Sequence, residues 1–440
     1  SNRVTAAVCM PITFADARTR PPATPAGSMS VAQDAHAYFH SQGVHEALAE
    51  AVKQVVLENA PDALARIAEL LAARSASAVA PAPARPPALC TYLETVGNTP
   101  LVALRKCLPD GVRAARVLAK LEMSNPGGSL KDRIALHMIE QAEKEGLITP
   151  GVTTLVDFTS GNTGIGEAMV AAAKGYKCVI VMPQVPAMFE RYIICRQFGA
   201  DVHLLNPAAG GDAFIAYVEE LGAKPGNFYL GQMSNRHNPE AHVLHTGPEI
   251  WAQAGGQVDF FVHGIGTGGC IAGVGSFLKS QNPQCKVVAL EPSEARMHTG
   301  APMGKHGIVG WMPGFHSKFL EGVDLPAAEL SDAPRGVVDE WGHVSTPECV
   351  AWATKVCRDE GMMVGPSAGA AIKYACDVAC RPEAAGKTVV VIVPSHGIRY
   401  VQHPLWGPMK EEAAHALPAT PVADKGAPIL QWDSAAQQHD

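Results

Sequence analysis

Lys131 lies in Ser129-Leu130-Lys131-Asp132-Arg133, entered through the turn Asn125-Pro126-Gly127-Gly128. The apolar-periodic run behind it (Ile134, Leu136, Ile139) predicts a helix capped by Ser129, with Lys131 in its first turn. A cation there opposes the positive end of the helix dipole, so its pKa should be depressed. A neutral lysine amine is what forming a Schiff base with an aldehyde requires. Taken alone, the five residues also fit a solvated first-turn lysine beside Asp132.

Three further loops shift that balance. Thr159-Ser160-Gly161-Asn162-Thr163-Gly164 joins a strand ending at Phe158 to a helix expected over Ile165–Lys174. Small hydroxyl and amide residues at a helix N-terminus make a carboxylate-sized cradle. Gly264-Ile265-Gly266-Thr267-Gly268-Gly269 precedes a helix starting near Cys270 and lets backbone amides approach a phosphate. The same glycines satisfy G-x-G-x-x-G, and Glu291 ends the next strand where a ribose-binding acid would sit, so a nicotinamide enzyme stays open on this motif. Gly365-Pro366-Ser367-Ala368-Gly369-Ala370 offers a hydroxyl for a ring nitrogen. Together these are the parts needed to hold pyridoxal phosphate with an amino-acid substrate.

The order and wording of the loops resemble the cysteine synthase (O-acetylserine sulfhydrylase) family, with cystathionine β-synthase a near relative. The match runs from Val96-Gly97-Asn98-Thr99-Pro100-Leu101-Val102 to Arg399-Tyr400, through Lys120-Leu121-Glu122, Gln232, Asn235, His242 and Thr246-Gly247-Pro248-Glu249-Ile250-Trp251. The resemblance implies that Lys131 holds pyridoxal phosphate covalently and acts as general base. It implies that Gly266, Thr267, Gly268 and Gly269 bind the phosphate, Asn162 the phenolic oxygen and Ser367 the pyridine nitrogen. Thr159, Ser160, Asn162, Thr163 and Gln232 would take the substrate carboxylate. A serine at the ring nitrogen does not keep it protonated as an aspartate does, which favours β-elimination over transamination. O-acetylserine and sulfide are the implied substrates, and a homodimer the implied assembly. Three departures stand out. Cys270 replaces the threonine that ends the phosphate loop, and Met188-Phe189-Glu190-Arg191-Tyr192 lacks the usual serine. Trp311-Met312-Pro313 occupies the small-residue lip before Gly314-Phe315.

These loops need a scaffold that presents strand ends to helix starts. Between Leu89 and Pro408, β-rich runs such as Thr154–Phe158, Cys178–Val181, Asp259–Val262, Lys286–Leu290 and Thr388–Val393 alternate with amphipathic helices, which predicts a doubly wound, mostly parallel α/β architecture. The resemblance narrows this to the fold-type II (tryptophan synthase β-like) arrangement of two subdomains, the mobile one over about 130–240. Upstream, Val44, Leu48, Val52, Val55 and Val56, then Leu64, Ile67, Ala68 and Leu71, predict two short amphipathic helices within 31–74. With Tyr38-Phe39, Gly43-Val44 and Pro61-Asp62 this block resembles the dimerisation-docking motif of protein kinase A regulatory subunits and Dpy-type proteins. That implies a dimeric bundle receiving an amphipathic helix of an anchoring protein. A cytoplasmic protein is expected from its scattered cysteines, with a cilium or flagellum axoneme as one setting for an anchored scaffold. Residues 1–30 predict a disordered leader, with an organelle transit peptide as the alternative. Residues 75–88 predict an Ala/Pro linker and 409–440 an extended tail.

A net charge of -7 argues against a nucleic-acid partner. No apolar run approaches the ~18 residues that span a bilayer, so no membrane partner is expected. Eleven scattered cysteines without a Cys-x-x-Cys pair predict reduced thiols and no metal site. The reading is a cysteine synthase tethered by a docking module. Cystathionine β-synthase chemistry, or a scaffold that kept the fold but lost turnover, are the alternatives.

Overall fold

Thr388–Val393 is an unbroken run of β-branched residues, and it forms a strand with no exposed position. Strands buried on both faces read this way because helices cover each side of a parallel sheet. The computed structural model describes residues 44–58, 62–78, 91–300, 304–311, 316–320 and 336–415. The chain divides into two units, before and after residue 88.

The first unit contains α1 (Val44–Glu58) and α2 (Ala63–Ala78). Asp62 caps α2 by accepting the Ala65 amide at 3.0 Å, and Arg66 reaches Glu58 at 2.8 Å to tie the two helices. Ala51 and Val55 are buried, while Leu48, Val52, Val56 and Leu64 remain exposed. The two helices therefore satisfy only part of their apolar faces. Helix α2 continues to Ala78 and takes the first four residues from the expected linker, because Ser75-Ala76-Ser77-Ala78 is alanine-rich and the first proline comes at Pro81. Residues 1–43 and 79–90, and Pro61, lie outside the described residues, as do the readings made for them.

The second unit holds two sheets. The larger contains β1 (Leu101–Ala103), β2 (Arg116–Leu121), β7 (Phe260–Gly264), β8 (Lys286–Pro292), β9 (Glu340–Val344) and β10 (Thr388–Val393), in the order β1-β2-β10-β7-β8-β9. Only the edge strand β1 runs antiparallel. The smaller sheet, β5-β4-β3-β6, uses β3 (Thr154–Phe158), β4 (Lys177–Pro183), β5 (Asp201–Leu205) and β6 (Asn227–Tyr229), all parallel. The doubly wound α/β expectation therefore holds. No helix among the described residues is long and apolar enough to cross a membrane.

The helices that matter for the site are α3 (Lys131–Lys144), α4 (Asn162–Lys174), α7 (His237–Ala241), α9 (Gly269–Gln281) and α11 (Pro366–Ala379). Between β4 and α7 lie α5 (Phe189–Gln197) and α6 (Gly211–Gly222); a π-helical turn over His242–Thr246 leads from α7 into α8 (Gly247–Gln253). Helix α10 (Thr346–Glu360) packs beside α11. Two boundaries differ from the sequence reading. Helix α4 starts at Asn162 rather than Ile165, since Gly161 supplies the extended cap. The tail expected to be extended begins as α12 (Gly407–His415), because Lys410 to Ala414 are good helix formers with no proline among them. Residues 416–440 lie outside the described residues.

Candidate active site

Two of the loops, after β3 and β7, leave the carboxyl ends of strands, where ligands bind in open α/β sheets. The third, at Gly365, follows helix α10 and reaches the end of β10, where its amide donates to the Ser395 carbonyl at 3.0 Å. The fourth, before Lys131, is drawn to the end of β10: Leu130 donates its amide to the Pro394 carbonyl at 2.8 Å, and Ser129 bridges Ser395. Ser129 caps from one residue earlier than expected. Leu130 already has helical torsions, and the Ser129 hydroxyl accepts the Lys131 amide at 3.2 Å. The preceding turn is held twice more. Gly127 donates its amide to Asp132 Oδ2 at 2.7 Å, and Arg399 donates to the Gly127 carbonyl.

Behind the lysine a buried ion cluster fixes α3. Arg133 donates to Glu122 at 2.6 and 2.9 Å and to Glu249 at 2.8 and 2.7 Å, while Lys120 reaches Glu249 at 2.7 Å. Lys131 is partly exposed to the cavity it lines, and burial of its amine pulls the pKa down to about 8. Desolvation by the surrounding loops is the main cause.

Lys131 shares a cavity of about 50 Å³ with Asn162, Gly266, Thr267, Gly268 and Ser367. Gly269 does not line it; its amide points to Thr267 Oγ1 at 3.4 Å. The amides of Gly266, Thr267 and Gly268 have no hydrogen-bond partner among the described residues. Ser317 and Asn238 brace this loop, bonding the Thr267 carbonyl at 2.7 Å and its hydroxyl at 3.2 Å. Gly268 has φ +89°, and a Cβ there would lie 1.9 Å from Ser317 Oγ, so only glycine fits. Cys270 also lines the cavity, with burial pushing its thiol well above the usual range.

A second cavity of about 760 Å³ is lined by Lys131 and Thr159 through Thr163, with Gln232, Trp311 and Tyr400. Thr163 donates to Gln232 Oε1 at 2.6 Å, and the Gln232 amide reaches Asp157 Oδ2 at 3.2 Å. Thus every expected substrate-cradle residue faces one space. Asn162 is positioned by Tyr400 at 3.0 Å and Arg399 at 2.8 Å. Trp311 is buried against the Gly264 backbone, where a Cβ would meet its ring at 1.8 Å. Met312, Pro313, Gly314 and Phe315 lie outside the described residues. Glu291, the possible ribose acid, is fully buried and accepts from His298 at 2.7 Å and Thr299 at 3.0 Å, which leaves the nicotinamide reading without its acid.

Residues 92–395 match the sequence profile of the family described as pyridoxal-phosphate dependent enzyme. This chain belongs to that family. As a pyridoxal-phosphate dependent enzyme it is 40% identical over 314 residues to a cysteine synthase of Staphylococcus aureus, covering 71% of this chain and 96% of the relative. Among solved structures it is similar to an O-ureido-L-serine synthase, with 36% identity, TM-score 0.66, and 73% and 96% of the two chains covered. O-acetyl serine sulfhydrylase isoform 3 from Entamoeba histolytica gives 35% identity and TM-score 0.66, covering 77% and 95%.

The residues present fit pyridoxal phosphate. Three amides unpartnered among the described residues, on a glycine loop before a helix, suit a phosphate, a lysine amine of lowered pKa suits the aldehyde, and Ser367 supplies a buried hydroxyl. Sequence reasoning missed Arg399, Tyr400, Asn238 and Ser317 as positioning residues. Arg399-Tyr400 was visible as a motif without a role. Asn238 and Ser317 act through contacts across 29 and 50 residues, for which no local pattern exists.

Proposed function

We propose that this enzyme forms L-cysteine from O-acetylserine and sulfide, with Lys131 as cofactor-holding residue and general base. The observation that carries this is the convergence of Lys131, Asn162, the Gly266–Gly268 amides and Ser367 on one cavity, beside a second lined by Thr159, Ser160, Thr163 and Gln232. When bound, pyridoxal phosphate supplies an electron sink conjugated to the substrate α-carbon, which acidifies its Cα–H and lets the β-acetoxy group leave. Low local dielectric lowers the Lys131 pKa to about 8, so part of the amine population is free to take that proton near neutral pH. Thr159, Ser160, Asn162 and Thr163, at the start of α4, bind the substrate carboxylate, and the Thr163–Gln232 bond keeps the cradle rigid. Ser367 pairs with the ring nitrogen without protonating it. Gly269 contributes by closing the loop rather than by contact.

The test is to add O-acetylserine to the purified holoenzyme, follow the visible cofactor band, then add sulfide and measure cysteine. The band should shift and return with product. Lys131→Ala should abolish both. A cofactor band that ignores O-acetylserine would overturn the reading in favour of a scaffold.

We further infer that α1 and α2 serve assembly, dimerising and receiving an amphipathic helix of an anchoring protein. The exposed Leu48, Val52, Val56 and Leu64 support this, since a two-helix hairpin cannot bury such residues alone. Deleting residues 31–74 should change oligomer size or partner capture and leave cofactor binding intact. Unchanged mass and capture would refute it.

A further inference from the structure

His137, His237 and Glu240 converge at a point that the chemistry above does not use. His137 lies on α3, six residues beyond Lys131, whereas His237 opens α7 and Glu240 follows in the same short helix. One ligand-type atom from each lies within 4.8 Å of the other two. Glu240 Oε2 is 3.1 Å from His137 Nε2 and closer still to His237 Nδ1. The other ring nitrogen of His237, Nε2, is 3.2 Å from Glu145 Oε1, which Arg236 also holds at 2.7 Å.

This arrangement asks for a positive charge between the rings and the carboxylate. When His237 donates from Nε2 to Glu145, its Nδ1 presents a lone pair towards the Glu240 oxygen, and two lone pairs at that range repel. A proton relieves the repulsion, and so does a metal ion. With Zn–N and Zn–O bonds of about 2.0–2.1 Å, neighbouring ligand atoms in a tetrahedron stand about 3.3 Å apart. The separation from His137 to Glu240 already matches that edge, and His237 reaches it by a small withdrawal from Glu240. A carboxylate behind a ligating imidazole is the usual way a metal-bound ring is oriented, and Glu145 occupies that place. Two imidazoles with one carboxylate suit Zn2+, while Ca2+ and Mg2+ prefer all-oxygen sets. Both histidines are buried, while Glu240 is partly exposed, so an ion and a water ligand would enter from its side.

We propose that His137, His237 and Glu240 form a binding site for a divalent transition-metal ion of the Zn2+ type, with Glu145 as its orienting carboxylate. The proposal departs from the expectation, drawn from cysteine spacing, that the chain has no metal site, since its ligands include histidines 100 residues apart in sequence. An ion here would join α3, whose first residue is Lys131, to α7, whose Asn238 braces Thr267.

The test is calorimetric titration of metal-stripped, full-length holoenzyme with Zn2+ alone. One equivalent should bind, and His237→Ala and Glu240→Gln should each weaken it at least ~100-fold. Glu145→Gln should weaken it about 10- to 100-fold. X-ray absorption at the zinc edge should show nitrogen and oxygen ligands without sulfur. Near-UV circular dichroism establishes that each variant is folded, and Glu240→Gln decides should His237→Ala fail that check. No binding, affinity unchanged in the folded variants, or a sulfur shell from the thiols would overturn the proposal. None of these results bears on the cysteine synthase reading.

Discussion

Replacing Arg133 by methionine tests whether the buried ion cluster is what holds α3, and with it Lys131, in place. The guanidinium is 3% exposed and the Glu122 carboxylate 0%, so neither charge has water to fall back on. In the Arg133→Met variant Glu122 keeps the Thr99 hydroxyl at 2.7 Å and the Asn125 amide at 2.9 Å but loses its cation. Glu249 suffers less, because Lys120 at 2.7 Å and the Asn98 amide at 3.0 Å remain. The loss therefore falls mainly on Glu122, and stranding a buried charge costs about 3–5 kcal/mol. Urea unfolding of the holoenzyme should show that loss as a lower midpoint with an unchanged slope. Adding Glu122→Gln removes the stranded charge and should recover about 2 kcal/mol. A loss below about 1 kcal/mol, or a double variant no more stable than Arg133→Met, would refute the reasoning.

Three other outcomes follow from the same geometry. With a Lys131 pKa of about 8, only the amine form attacks an aldehyde, so the rate at which cofactor-free enzyme captures pyridoxal phosphate should fall as pH drops below 8. About a tenth of the amine is reactive at pH 7, and a rate flat from pH 6.5 to 9 would contradict this. Gly268→Ala places a methyl 1.9 Å from Ser317 Oγ at φ +89°, and should weaken cofactor binding by more than tenfold in a visible-absorbance titration, with unchanged affinity as the disproof. Burial, and then the neighbouring Asp157, raise the Glu167 carboxyl well above its usual range, so replacing it by methionine should stabilise the enzyme by about 1–3 kcal/mol in urea unfolding. A lower midpoint in Glu167→Met would show that the acid is structurally required.

Much of the site was legible because its residues work through the backbone. Gly266 and Gly268 act where a strand meets a helix, and small residues after a β-branched run advertise that junction locally, while Ser367 stands in a Gly-Pro-Ser helix start. Strand β10 was legible for the same reason, since Thr388–Val393 has no polar position inside it. The ion cluster was not, because Lys120 and Glu249 are 129 residues apart and each reads alone as an ordinary surface charge. The lowered Lys131 pKa was expected from the helix start alone, whereas its main cause, enclosure by other loops, is not a local property. Residues 75–78 and 409–415 read as linker and tail because alanine-rich sequence near proline carries little periodicity, yet they are helical.

Among the described residues β10 is the last strand to leave the ribosome, yet it inserts between β2 and β7, pairing with both. Until residues 388–393 emerge, the larger sheet exists as two halves with bare edges, each a template for pairing with another nascent chain. A premature stop anywhere upstream therefore yields no shortened enzyme, only fragments whose inner seam stays open. From the emergence of β7 at residue 260 to that of β10 at 388, both edges of that seam wait for the strand that joins them.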